Sequence, residues 1–211
     1  MRFVIICGSE RRGGNTDRVA RHATSIIDEL GAEAEILALH DYVILPCGRC
    51  GECNLRETSC EQDDDMPALI ARLVVADALL YMAPVHGFGL AHPMQIFIER
   101  AGVGYLRFER PLANKIGGVV ITGRRYSHAA AYTQILNNLL LNRMIVIGSG
   151  YPVLFHGGRP GAALEDEEGL DALRHLIFRM VSLHRVLASC PDAIRHKHLT
   201  PLTPNERVSA L

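Results

Sequence analysis

Short apolar runs and longer amphipathic stretches alternate along this chain. Residues 2–7, 33–39, 78–83, 115–122 and 144–149 are rich in Val, Ile and Leu, as strands covered on both faces should be. Between them, residues 15–30, 64–75, 91–103 and 128–142 carry helix-length patterns, and residues 167–187 predict a fifth helix. Five strand–helix units predict an α/β fold, a doubly wound five-stranded parallel sheet with helices on both faces. Neither an internal repeat nor a low-complexity linker interrupts the pattern. The expected organisation is one domain over 1–188, with a cysteine-rich insertion at 46–63, and a C-terminal tail at 189–211. That tail holds Pro191, Pro201, Pro204 and the basic cluster Arg195-His196-Lys197-His198. It has two readings, an extended arm that wraps a neighbouring subunit and a frayed terminus.

In a doubly wound sheet, ligands sit beyond the carboxyl ends of the strands at the switch point in strand order. The loops to read are those after the first, third and fourth strands. The first contains Gly8, Ser9, Arg11, Gly14, Asn15 and Thr16. Its donors stand just before a helix, where backbone N–H groups and the positive helix end suit a phosphate. It lacks the dinucleotide fingerprint G-x-G-x-x-G and the Gly-Lys-Ser/Thr of a Walker loop. Taken alone it could also be a helix start capped by Asn15. The loop after the third strand reads Ala83-Pro84-Val85-His86-Gly87-Phe88-Gly89-Leu90. Its glycines and proline allow a backbone to approach a flat ring, with His86 and Phe88 on or beside it. As a lone residue, His86 would read as an exposed loop histidine; its place at the switch point gives it the functional reading. After the fourth strand, Thr122-Gly123-Arg124-Arg125-Tyr126-Ser127 is rich in donors, and Arg124 or Arg125 could neutralise a flavin or nicotinamide phosphate.

The second motif is Cys47-Gly48-Arg49-Cys50-Gly51-Glu52-Cys53, followed by Cys60. The spacing C-x2-C-x2-C brings three thiolates to one side of a tight loop, to which Cys60 can return as a fourth ligand. Iron–sulfur clusters are held by such sets, whereas zinc sites usually come as two separated C-x2-C pairs. One compact triplet favours a [4Fe–4S] cluster over zinc, and free or disulfide-linked cysteines are the metal-free alternative. Cys7, in an apolar run, and Cys190, near the tail, read as bystanders.

The chain has 211 residues, 48% of them hydrophobic, enough for one substantial core. Its net charge of −1 gives no basic footprint for nucleic acid. The apolar run at residues 3–7 is too short for a signal peptide, and no segment approaches the ~20 apolar residues of a membrane span. The expected location is the cytoplasm, where clustered cysteines read as metal or redox sites.

Gly8-Ser9-x-Arg11-x-x-Gly14-Asn15-Thr16 and Pro84-Val85-x-Gly87, in this order, resemble the flavodoxin-like NAD(P)H-dependent FMN reductase superfamily. With Cys47, Cys50, Cys53 and Cys60 after the second strand and Asp64-Asp65-Met66 beyond, the chain is more similar to its iron–sulfur flavoprotein branch. The resemblance runs from the first strand to Asp166–Gly169. It implies a flavodoxin-like fold and FMN with its phosphate at Ser9, Arg11, Gly14, Asn15 and Thr16. It implies the isoalloxazine against Pro84, Val85, His86, Gly87 and Phe88, and a third contact from Thr122, Gly123 and Arg124. It also implies NAD(P)H as co-substrate, a small-molecule or protein electron acceptor, and a homodimer or homotetramer with the flavin near an interface. Three departures stand out: Gln95 and Glu99-Arg100 in the third helix, His86 in place of an aromatic, and Gly123-Arg124 in place of paired glycines. The last two bear on the substrate pocket and the nucleotide preference.

The expected function is an FMN-dependent oxidoreductase of iron–sulfur flavoprotein type. Flavin handles one or two electrons and a cluster only one, so the pair would convert a two-electron donor into one-electron outputs. The flavin carries the chemistry, and no side chain is singled out as catalytic. Three alternatives remain: a cluster-free NAD(P)H:quinone or nitro/azo reductase, a non-enzymatic flavodoxin-like electron carrier, and a metal-stabilised binding module with an empty flavin site.

Overall fold

The computed structural model describes residues 1–48, 50, 60–101 and 110–199. Strand β1 (Arg2–Cys7) leads into helix α1 (Asn15–Glu29), then β2 (Glu33–Ala38), α2 (Met66–Val75) and β3 (Ala78–His86). A two-residue strand β4 (Gly89–Leu90), α3 (His92–Arg100), β5 (Ile116–Gly123) and α4 (His128–Leu141) follow. The described chain closes with β6 (Ile145–Val146), β7 (Val153–His156), α5 (Glu167–Ser189) and α6 (Asp192–Leu199).

The sheet runs β2-β1-β3-β5-β6, with β7 also on β5 and β4 antiparallel to β3. Phe3 pairs with Ala78 and Ala78 with Ile116, so the three central strands are parallel and in step. Their side chains alternate between two apolar layers. Phe3, Ile5, Leu80 and Val120 meet Val19, Ile27, Leu176 and Met180 of α1 and α5. Val4, Ile6, Tyr81 and Ile121 meet Leu69, Phe97 and Leu139 of α2, α3 and α4. Each large side chain buried this way contributes about 1.5–3 kcal/mol. Helices therefore cover both faces, as the near-continuous apolar strands require.

The fifth strand position departs from the predicted run 144–149. Strand β6 pairs with the start of β5 through Ile145 and Val146. The chain then leaves the sheet over Gly148-Ser149-Gly150 and Pro152, which has no N–H for a ladder. It returns as β7, pairing Val153 with Val120 and His156 with Gly123. The second half of the broken strand carries the chain to the carboxyl edge of the sheet. Strand β3 also continues past the predicted residue 83, because Val85 and His86 pair with Leu90 and Gly89.

The segment read as an extended tail is helical in its described part. Pro191 accepts from the N–H groups of Ile194 and Arg195, and His196, Lys197 and His198 fall in the last turn of α6. The Lys197 cation there complements the helix dipole.

Candidate functional site

The carboxyl ends of β1, β3 and β5 bring the predicted loops together around one cavity of about 300 Å³. Ser9, Arg11, Gly14, Asn15 and Thr16 line it from the first loop. Pro84, Val85 and His86 line it from β3, and Thr122, Gly123 and Arg124 from β5. A fourth wall, Gly157 to Pro160, comes from the loop after β7. An adjoining cavity of about 370 Å³ shares Val85 and Arg124 and adds Gly87, Phe88, Arg125 and Tyr126. Each predicted flavin-contacting residue lies on one of these two connected walls.

Helix α1 opens toward this cavity without a side-chain cap; its N-cap is Gly14, not Asn15. The first intrahelical bond is Arg18 N–H to the Gly14 carbonyl, so the preceding N–H groups of the first turn have no acceptor within the helix. Asn15 has a different task from the predicted donor to a ligand. Its Nδ2 donates to the carbonyls of Gly157 and Arg159 at 3.1 and 3.0 Å, and its Oδ1 accepts from Gly161 N at 2.7 Å. One side chain thus holds the fourth wall against the first. A Cβ on Gly157 would come within 2.6 Å of Ala163 N and 3.0 Å of Asn15 Nδ2, so this close approach requires glycine. Thr16 and Thr122, both buried, join the first and third loops through their hydroxyls at 2.6 Å.

Behind the first loop, Asp17 accepts from Gly13 N at 2.7 Å and from the Cys7 thiol at 3.2 Å. Burial pushes the Cys7 thiol far up, and the Asp17 carboxylate pushes it further. A thiol held protonated in this way is a poor nucleophile or ligand.

Gly87 and Phe88, at φ 54° and 64°, form the two-residue turn between β3 and β4, with the left-handed pair that a type I′ hairpin needs. The turn presents the Phe88 ring, 72% exposed, 6.3 Å from that of Tyr126 across the second cavity. At the mouth of the first cavity, the Glu10 carboxylate meets Nδ1 of His86 at 2.9 Å and Nδ1 of His92 at 2.6 Å.

The cysteine insertion is a separate region. Cys47 and Cys50 are exposed, Cys60 is half-buried and all three are free thiols; Cys53 lies outside the described residues. Among the described residues, no three His, Cys, Asp or Glu side chains are gathered as a metal site. The stems of the insertion are tied by a buried ion pair. The Arg100 guanidinium donates to Asp64 at 2.6 Å, to the Leu45 carbonyl and to Cys60 Sγ at 3.4 Å. Asp64 also accepts from Leu45 N and Met66 N. Burial works to raise the Asp64 carboxyl, but Arg100 and the two N–H groups outweigh it and hold the group below its ordinary value.

Residues 1–158 match the model of the NADPH-dependent FMN reductase family. The chain belongs to this family. An iron–sulfur flavoprotein of Methanocaldococcus jannaschii is 32% identical over 183 residues, covering 83% of this chain and 93% of that protein. One of Methanosarcina thermophila is 26% identical over 175 residues, covering 82% and 90%. These relatives place the chain in the iron–sulfur flavoprotein branch, and it is an FMN-dependent oxidoreductase. Among solved structures, RosB with bound 8-demethyl-8-formylriboflavin-5'-phosphate aligns over 100% of this chain and 94% of its own, at a TM-score of 0.73 and 17% identity. The NAD(P)H:acceptor oxidoreductase FerB of Paracoccus denitrificans aligns over 86% and 95%, at 0.63 and 18%. Both share the fold, a flavodoxin-like parallel sheet with helices on both faces. No helix among the described residues is long and apolar enough to cross a membrane.

The uncapped start of α1, the three guanidiniums of Arg11, Arg124 and Arg159 on the cavity wall, and the flat approach at Gly87 fit an FMN of this family. The apolar pattern predicts the fifth strand at 144–149 and so does not reveal the fourth wall, which follows β7. The signal for it was the apolar run Val153-Leu154-Phe155 followed by Gly157-Gly158-Arg159-Pro160.

Proposed function

We propose that the protein moves electrons from NAD(P)H, or from a reduced redox partner, through FMN and a [4Fe–4S] cluster to an acceptor. The observation that carries the flavin half is the single cavity on which the loops after β1, β3 and β5 converge beside the uncapped start of α1. In this reading the backbone N–H groups of the first turn and Ser9 bind the phosphate, with Arg11 beside it; Arg124 and Arg159 add positive charge. Pro84, Val85 and the Gly87-Phe88 turn orient the isoalloxazine, and Thr16 and Thr122 fix the spacing of the two loops that flank it. Bound FMN supplies hydride acceptance and electron donation; the chain supplies binding, orientation and a wall against water.

Cys47, Cys50, Cys53 and Cys60 would hold the cluster. The three described members are unpaired thiols, the donor chemistry that iron–sulfur clusters take, and a guanidinium stands at Cys60 Sγ. A cluster-free NAD(P)H:acceptor reductase is the second reading, favoured by the exposure of Cys47 and Cys50. We also take the protein to be a homodimer or homotetramer, since Phe88 and Tyr126 border the second cavity yet are 72% and 63% exposed, an apolar rim that a second subunit would cover.

The test is anaerobic purification with a visible spectrum and iron, zinc and sulfide analysis, followed by stopped-flow mixing with NADH and NADPH. The proposal expects FMN, about four irons and four sulfides per chain, and bleaching of the flavin by one of the nucleotides. Flavin without iron or sulfide after anaerobic reconstitution would leave the cluster-free reading. An absence of bleaching by either nucleotide would remove NAD(P)H as the donor.

A further inference from the structure

We propose that His86, held by Glu10 and His92, is the proton donor for acceptors that take a proton together with a hydride, the chemistry of quinones. The inference rests on the reading that reduced FMN occupies this cavity. Glu10 follows the phosphate-loop residue Ser9, His86 ends β3 and His92 begins α3, so three separate segments meet at one carboxylate. Both imidazoles approach it through Nδ1, at 2.9 and 2.6 Å. An ionised carboxylate only accepts hydrogen bonds, so each Nδ1 carries a proton. That fixes the tautomer, and Nε2 of His86 becomes the atom that gives and regains a proton. His86 lines the cavity and its side chain is 32% exposed, so Nε2 can exchange with water once product leaves. The other charged groups on that cavity wall are Arg11, Arg124 and Arg159, which are too basic to serve as donors.

The step balances as follows. A quinone takes a hydride from anionic reduced FMN at one end of its conjugated system and a proton from Nε2 of the doubly protonated His86 imidazolium at a carbonyl oxygen, giving the hydroquinone and oxidised FMN. The imidazole is left neutral, with Nδ1–H still on Glu10, and takes its next proton from solvent. Glu10 and His92 are positioning residues, because neither has to touch the acceptor.

The experiment uses photoreduced, FMN-loaded protein, so that no nucleotide is involved. Reduced wild type and the variants Glu10→Gln, His92→Gln and His86→Gln are mixed anaerobically with a benzoquinone, and separately with ferricyanide, which takes an electron without a proton. The ratio of the two oxidation rate constants should fall by about 10²-fold in His86→Gln, the lower end for loss of a general acid, and by a smaller factor in Glu10→Gln and His92→Gln. A solvent isotope effect on the quinone limb of wild type should vanish in His86→Gln. Histidine-labelled, FMN-free protein gives a readout independent of turnover: the nitrogen NMR signal of His86 Nδ1 should be that of a protonated nitrogen in wild type and mixed in Glu10→Gln. A ratio within about twofold of wild type in His86→Gln, far below what a general acid contributes, or an Nε2–H tautomer for His86, overturns the proposal. Failure of NADH and NADPH to bleach the flavin would count against the donor reading alone, since photoreduction bypasses it.

Discussion

Removing Arg100 should destabilise the protein more than loss of any exposed ion pair would. The Arg100 and Asp64 side chains are 2% and 0% exposed. In Arg100→Ala the Asp64 carboxylate stays buried with only the N–H groups of Leu45 and Met66 to solvate it. Breaking a buried pair by removing one partner costs about 3–5 kcal/mol, and for a chain of this size that lowers the melting temperature by roughly 6–20 °C. Exposed pairs such as Arg159–Glu165 are worth about 0–1 kcal/mol. The assay is urea unfolding of FMN-free wild type, Arg100→Ala, Asp64→Ala and the double variant, which gives the coupling between the two side chains. Arg100→Met with Asp64→Leu should be closer to wild type than Arg100→Ala, because it leaves no charge stranded. The pH dependence carries a sign. Asp64 is held below its ordinary value in the folded protein, so its contribution is complete above the unfolded carboxyl value of about 4 and is lost as pH falls through the lower folded value. The gap between wild type and Arg100→Ala should therefore close in acid. A coupling below about 0.5 kcal/mol, the scatter expected for independent sites, would refute the reasoning, and so would a gap that widens in acid.

Asn15→Ala should raise the FMN dissociation constant by up to about 10²-fold by freeing the Gly157–Gly161 wall, since three neutral hydrogen bonds are lost at ~1 kcal/mol each; flavin fluorescence titration measures it, and an unchanged value would detach that wall from binding. Gly157→Ala should lower both FMN affinity and thermal stability, because its Cβ would press on Ala163 N at 2.6 Å; a neutral result would mean the loop is free to shift. The chain should bind FMN in preference to FAD, since the phosphate loop has no dinucleotide fingerprint, and competition by equilibrium dialysis would show it. Cys50→Ala should retain less iron and sulfide than wild type after anaerobic reconstitution; equal contents would remove this loop as the ligand set.

The sheet was legible because a strand covered on both faces has to be apolar almost throughout, and β1, β3 and β5 are. The fifth strand was not, since the residues of β6 extend an apolar run to Ile147 while the pairing stops at Val146; which run pairs with β5 is settled by tertiary contact. The first loop was readable as a helix start near a ligand, but the direction of Asn15 was not, because its partners lie 142 and 144 residues away. Glu10 gave no signal at all, as a single acidic residue in a polar loop has none. Arg100 was visible only as a departure in the third helix, and its burial depends on where Asp64 and Leu45 fold back.

Besides the local turn bonds between Ser9 and Arg11, three polar ties around the cavity each join separate loops. Asn15 joins the first loop to the fourth wall, Thr16 joins it to β5 through Thr122, and Glu10 joins it to β3 and α3 through His86 and His92. The first loop is therefore the common partner of every other wall. A site built this way resists displacement of any one wall, because moving it breaks a bond to a loop that two other walls hold in place. The preorganisation favours a planar ligand of fixed size, since fewer loop conformations have to be given up on binding. It also places the cost of a change at Asn15, Thr16 or Glu10 on ligand geometry more than on the fold, whose apolar layers lie beneath these residues and do not include them.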